Sequence, residues 1–589
     1  MKTRSTAIPM IVVFMLALIA AGFTAKADTR FIGIDEIRPG MRGKALTVLE
    51  GTKIESFGVE ILGLTTGTGR VGSLILIRTY GTALREFGGI ASGMSGSPVF
   101  IGNRLLGAIS YTFSNANPSY GLVTPIADML ALWDYKDTED YMAEFVDGQP
   151  VNIAGQNYRG ILFAGGHGQG VHNNRSDLLK AIPVTAPIYL GGFGQRTGAA
   201  LQSFLGKYGV SVAKSAASSP LTPAPLSPSG ETIASLEPGS PLGLQLITGD
   251  LSVSSIGTLT WVENGRFVAF GHPVLSKGKV ALLATGASVY RTISGASVPS
   301  KLADITNPVG IITQDRSAGL AGRFGKMPVM LPVVVQVTDQ DTGNEVVLKT
   351  SVVLDADMTP TLASMAVIEG LDRALDRVGA GSAKIDLEVL TAGSRADLRR
   401  QNLFYHRTDV ASIAIMDLLG YLNFLFRNNF EDVRPLAVNV SAVVCKDNFS
   451  AVITDARTAQ DIVQPGETVD LVVQLRPYRS ALAEVTIPVK IPDNAAPGRL
   501  DFFISGGTLW TEDAFEEEDI LNNSAADFAE AYREWTEKPA NMHIIVRYAP
   551  DTADSEAIDD SDIILLTETD WFVQGSRMIS IEIVDPANE

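Results

Sequence analysis

Gly88-Gly89-Ile90-Ala91-Ser92-Gly93-Met94-Ser95-Gly96-Ser97-Pro98-Val99-Phe100 is the stretch on which the fold and the chemistry turn. Glycines stand close to Ser95 on both sides, and Pro98 leads into a strand-like run. Glycine admits backbone conformations that other residues avoid, so two amide N–H groups can converge on one point beside a serine hydroxyl, as an oxyanion hole demands. The bland reading is a glycine-rich turn in a β-domain. Ser97 is a second hydroxyl in the string. It ranks below Ser95 as a nucleophile, because Pro98 follows it directly while Gly96 follows Ser95.

Working outward, short apolar runs at 45–49, 59–62 and 74–77 are separated by glycine-containing turns, which is a strand pattern. After the serine come a turn at Gly102-Asn103, runs at 105–111 and 120–125, and a short helix within 127–135. About seven strands in one compact unit predict a small closed β-barrel over 28–135. Residues 136–230 are less regular, with a helix expected at 197–208 and a Pro/Ser-rich linker at 218–230. Strand patterns return over 231–358, at 244–247, 256–262, 266–270, 280–284, 309–313, 329–337 and 346–354. Within them Asn264-Gly265 marks a tight hairpin. A second barrel is expected there. Helical periodicity at 362–378 and 410–428 defines a helical region, 359–434. The second helix is apolar but interrupted by Asp417 and Arg427, so it reads as buried. Period-two alternation over 435–505 predicts an immunoglobulin-like sandwich, followed by an acidic α+β region at 506–589.

Lys2 and Arg4 precede a nearly all-apolar run, and Ala25-Lys26-Ala27 supplies small residues for cleavage. This is the pattern of a secretory signal over 1–27, so the mature chain is expected to be periplasmic or extracellular; a retained N-terminal anchor is the competing reading. The formal charge is −18, and removing Lys2, Arg4 and Lys26 would take it to about −21. Such a surface repels nucleic acid. The acidic runs at 516–519 and 551–562 read as solvated faces. The single cysteine, Cys445, sits in an apolar context and reads as a buried small hydrophobe. His167 and His172 lie in a glycine-rich stretch with no ligand set around them, so no metal and no cofactor are expected.

The nucleophile string, with Leu105-Leu106-Gly107-Ala108 and Tyr120-Gly121-Leu122-Val123-Thr124-Pro125-Ile126, resembles the SpoIVB peptidase family of chymotrypsin-like serine peptidases. Ile256-Gly257-Thr258-Leu259-Thr260, Phe270-Gly271-His272-Pro273 and Gly310-Ile311-Ile312-Thr313-Gln314-Asp315 are similar to that family's histidine region. The resemblance implies a mainly β, chymotrypsin-like double β-barrel with Ser95 as nucleophile, His272 as general base, and an oxyanion hole from the amides of Gly93 and Ser95. Two features depart from the family. The serine precedes the histidine here, which a circular permutation of the two barrels would explain. The aspartate the family places shortly before its nucleophile is absent from Ile77-Arg78-Thr79-Tyr80-Gly81, and Glu86 is the nearest carboxylate. The acid is therefore expected elsewhere, first at Asp315, then at Asp304 or Asp250, and a Ser-His dyad is the alternative.

The expected function is an exported serine endopeptidase acting on a protein or peptide, with a regulatory or self-processing role. The alternative is an inactive peptidase-fold scaffold of the cell envelope, with a protein partner at the C-terminal sandwich. A carbohydrate-binding role for that sandwich finds no aromatic platform or calcium loop in the sequence.

Overall fold

The computed structural model describes residues 30–65, 72–114, 116–135, 146–153, 156–163, 178–184, 187–214, 236–295, 298–508, 525–548 and 563–584. The signal-like N terminus, His167, His172, the Pro/Ser-rich linker and the two acidic runs lie outside these residues.

The first barrel is built from six strands rather than seven: β1 (Arg42–Val48), β2 (Ile54–Leu64), β3 (Ile75–Tyr80), β4 (Pro98–Ile101), β5 (Arg104–Phe113) and β6 (Tyr120–Pro125). Alternate residues point inward, as with Phe57, Val59 and Ile61 on β2. The sheet closes because β4 pairs with β1 on one side (Ala45↔Val99) and with β5 on the other (Val99↔Gly107). Closure removes the exposed edges and leaves Val59, Ile75, Ile77, Val99, Leu106 and Ile109 in one core.

The segment expected to be irregular contains β7 (Val146–Ile153), β8 (Gln156–Phe163) and β9 (Leu178–Pro183). These strands extend the first sheet, with β9 antiparallel to β5. It also contains β10 (Ile188–Gly191), the helix Gln195–Gly206 and β11 (Val212–Lys214).

The second barrel also has six strands: β12 (Pro241–Gly249), β13 (Ser252–Glu263), β14 (Arg266–Ala269), β15 (Gly278–Ile293), β16 (Ser300–Arg316) and β17 (Gly319–Phe324). It closes because β12 pairs with both β13 and β15. Asn264 and Gly265 take φ of 52° and 74°, the left-handed pair that a two-residue hairpin needs. The barrels pack through a shared cluster of Leu105, Ala108, Ile126 and Met129 with Val268 and Ala321. Two six-stranded barrels in contact are the chymotrypsin-like architecture expected from the sequence.

The runs at 329–337 and 346–354 lie outside this closed barrel. They form β18 (Met330–Asp339) and β19 (Glu345–Val353), which carry the sheet onward through β12. The region read as helical holds the helices Thr359–Leu375 and Met416–Arg427, but it also holds a hairpin, β20 (Gly381–Thr391) and β21 (Leu398–His406). Asp417 is buried in its apolar helix because Arg400 and Asn402 each donate to it at 2.8 Å, meeting the need of a buried carboxylate. Cys445 is buried, and burial raises its thiol pKa.

The sandwich limits also shift. The strand Pro435–Cys445 joins the large sheet through β18 and β20. Two further sheets share a core in which Ile453, Leu471 and Val473 face Phe502, Ile504, Val546 and Ile581. The C-terminal strands Phe572–Gln574 and Ser576–Ile583 complete this unit; the second lies antiparallel to Gly498–Gly506, and each also makes one parallel pairing. Those pairings depart from the all-antiparallel sheets of an immunoglobulin-like domain.

Candidate active site between the barrels

The loop from Gly88 to Ser97 runs along the junction of the barrels, and the second barrel fixes it by backbone contacts. The Thr258 N–H donates to the Ser95 carbonyl at 2.7 Å. The hydroxyls of Thr258 and Thr260 donate to the carbonyls of Gly93 at 3.1 Å and Gly96 at 2.8 Å. Gly96 has φ +89°, and a Cβ there would sit 1.9 Å from the Thr258 carbonyl oxygen. No other residue fits this approach.

The two serines of the motif differ in their bonding. Ser97 Oγ donates to the Met94 carbonyl at 2.6 Å. Ser95 Oγ is fully buried and has no hydrogen-bond partner among the described residues. A buried, unbonded hydroxyl costs stability, which sets Ser95 apart from Ser97 within the motif.

The Gly93 N–H, one of the expected oxyanion donors, points to a carbonyl. It lies 2.8 Å from the oxygen of Val184, just beyond β9. Val184 in turn donates its N–H to the Ser110 carbonyl at 2.9 Å.

His272 follows β14 after Phe270 and Gly271, both at positive φ. The first barrel holds this turn: the Thr124 hydroxyl donates to the Gly271 carbonyl at 2.6 Å. The buried imidazole lies between Tyr111 and Phe270, at ring separations of 5.9 and 6.2 Å. Its Nδ1 is 2.7 Å from the Pro273 carbonyl oxygen. A carbonyl only accepts, so Nδ1 carries the proton and Nε2 the lone pair, the tautomer that suits a general base. Burial pulls the His272 pKa down to about 4, opposed by the Pro273 hydrogen bond, so the ring is neutral at pH 7.

Asp315 is placed differently from the expected acid. Its buried carboxylate accepts from the amides of Val274 at 2.8 Å and Leu275 at 2.7 Å. Its pKa is pushed up to about 6 by burial, against the pull of those amides. It fixes the turn that follows His272, while the imidazole Nδ1 is taken by a backbone carbonyl. Asp304 accepts from the Tyr290 hydroxyl and Asp250 from the Lys349 amide. Glu86 is exposed at the end of a short helix.

Sequence reading missed Lys301. Its N–H donates to the Ser92 carbonyl at 3.0 Å, and its stem lies 3.2 Å from where a Cβ of Gly93 would stand. The fully buried Nζ donates to Thr47 Oγ1 at 2.7 Å. No carboxylate pairs with it among the described residues, and burial lowers its pKa to about 7.

The two barrels thus set the Ser95 loop beside the turn that carries His272, with a Cβ at Gly96 placed 2.5 Å from the Phe270 nitrogen, while Ser95 Oγ and the imidazole make no hydrogen bond to each other. No curated protein and no solved structure matches the chain. Residues 25–130 match the model of the SpoIVB peptidase S55 family, while the His272 barrel lies outside the matched region. The matched region contains Ser95 and all six strands of the first barrel, so this part of the chain is identified as a serine peptidase domain of SpoIVB type.

Proposed function

We propose that the chain is an exported serine endopeptidase in which Ser95 attacks a peptide carbonyl. His272 takes the hydroxyl proton through Nε2 and returns it to the leaving nitrogen. The amides of Gly93 and Ser95 hold the oxyanion. The observation that carries this reading is the pairing of an unbonded, buried Ser95 hydroxyl with a Gly93 N–H that already holds a carbonyl at 2.8 Å. In this reading the Pro273 carbonyl orients the imidazole where a triad would use an acid, and Asp315 positions the turn. Export rests on the signal-like pattern of residues 1–27.

Fluorophosphonate labelling with peptide mapping tests the reading. Label on Ser95 that depends on His272 supports it. A folded, accessible site that takes no label supports the inactive-scaffold alternative.

A further inference from the structure

Residues 181–184, Ala181-Ile182-Pro183-Val184, lie across the nucleophile loop as an added strand. The register pairs Phe113 with Ala181, Thr112 with Ile182 and Tyr111 with Pro183. Val184 continues it, with its N–H on the Ser110 carbonyl at 2.9 Å. Pairing an extended segment with a sheet strand is the main-chain mode by which peptides are recognised. In an antiparallel pair, hydrogen-bonded positions alternate with non-bonded ones. Since Val184 is bonded, its neighbour Pro183 falls at a non-bonded position, where a missing N–H leaves no acceptor unmet.

Val184 is held on both sides of its Cα. Its N–H is on Ser110 and its carbonyl oxygen is on the Gly93 N–H. The 2.8 Å contact lies in the range expected of an oxyanion-hole donor. The Val184 side chain is fully buried, in a cluster with Ile90, Ala91, Met94, Ile109 and Val123. This is an apolar pocket matched to a branched aliphatic side chain. One carbonyl of the chain therefore sits polarised on the nucleophile loop, two residues from Ser95.

We propose that the chain is its own first substrate and that Ser95 cuts it after Val184. The proposal rests on Ser95 being the nucleophile. Ser95 Oγ bonds to the Val184 carbonyl carbon as His272 takes the hydroxyl proton. The C–N bond to Thr185 then breaks, and His272 delivers that proton to the departing nitrogen. Water attacks the resulting ester with His272 again as base, which frees Ser95 and leaves Val184 as a carboxylate. The cut makes Thr185 a new N terminus and lets 181–184 leave the cleft, where another aliphatic-Pro-Val segment can take its place.

The test is intact-mass measurement and N-terminal sequencing of purified mature protein after incubation at pH 8. Wild type should yield a fragment beginning Thr185-Ala186-Pro187. Ser95→Ala should remain one chain, and it loses no hydrogen bond by the change. An intact wild-type chain, or a Ser95-dependent cut at another bond, overturns the proposal. Fluorophosphonate labelling of Val184→Asp, whose carboxylate the apolar pocket expels, then separates the two readings. Label on Ser95 in that variant means that only self-cleavage falls. No label in the folded variant means that the peptidase reading falls with it.

Discussion

The Gly93 amide and the Val184 carbonyl meet at 2.8 Å, although the residues lie in separate segments of the chain. This one bond joins the nucleophile loop to the strand that covers it. Ser95, two residues further along that loop, is fully buried. The imidazole of His272 is fully buried as well, beside Tyr111 and Phe270, and this burial lowers its pKa.

Ser95→Ala should abolish turnover while leaving the fold intact. Loss of the nucleophile is expected to cost about 10⁴-fold or more in kcat. Because Ser95 Oγ has no partner to lose, the unfolding free energy should stay within about 0.5 kcal/mol of wild type or rise. Urea unfolding and peptide turnover measured on one preparation check both halves.

Self-cleavage should show a low-pH base limb. His272 must be neutral to act, and its pKa in the covered site is about 4. The rate should climb as pH rises through about 4 and be level by neutrality. A midpoint near 7 that disappears in Lys301→Met would instead assign the base role to Lys301, whose pKa is about 7.

Asp315→Asn separates a positioning residue from a triad acid. Asparagine keeps one oxygen to accept from Val274 or Leu275. Its kcat should fall by no more than about tenfold, whereas replacing a true triad acid by its amide costs about 10⁴-fold. Asp315→Ala leaves both amides unmet and should lower stability by about 3 kcal/mol.

Lys301→Met should change the pH dependence of stability. The folded pKa is depressed to about 7 from 10.5, so between those values the unfolded chain binds a proton that the folded chain does not. Wild-type stability therefore gains with rising pH across that window. Methionine has no proton to bind, so the variant lacks this gain. The stability of wild type relative to Lys301→Met should rise by a few kcal/mol between pH 7 and 10.5. Thermal unfolding of both proteins across that range measures it.

Gly96→Ala should be among the most damaging single changes. Its Cβ would collide with the Thr258 carbonyl oxygen at 1.9 Å, in a backbone conformation with φ +89°. A loss of about 3 kcal/mol or more is expected, together with loss of Ser95 labelling, and denaturant midpoints check it.

The nucleophile loop was legible because its chemistry is local: four glycines, a serine and a proline within a few residues carry the turn and its strand. Asn264-Gly265 was legible for the same reason. The covering strand was not, since Ala181-Ile182-Pro183-Val184 carries no signal that its partners are Ser110 and Gly93. Lys301 reads as an exposed charge in its sequence context, and its burial depends on Thr47 in the other barrel. For Asp315 the sequence indicates a strand end, but not the turn amides that the carboxylate meets. The hairpin of β20 and β21 lay between two strongly helical patterns, and its pairing with Pro435–Cys445 is long-range. The C-terminal strands joined the sandwich by long-range pairings, parallel for Phe572–Gln574 and mainly antiparallel to Gly498–Gly506 for Ser576–Ile583, which no turn signal announces.

The most direct test of the central claim is fluorophosphonate labelling of folded Val184→Asp protein with peptide mapping, beside the same protein carrying His272→Ala. The account predicts label on Ser95, lost when His272 is replaced. Label on another serine, or none on a folded sample, would contradict it.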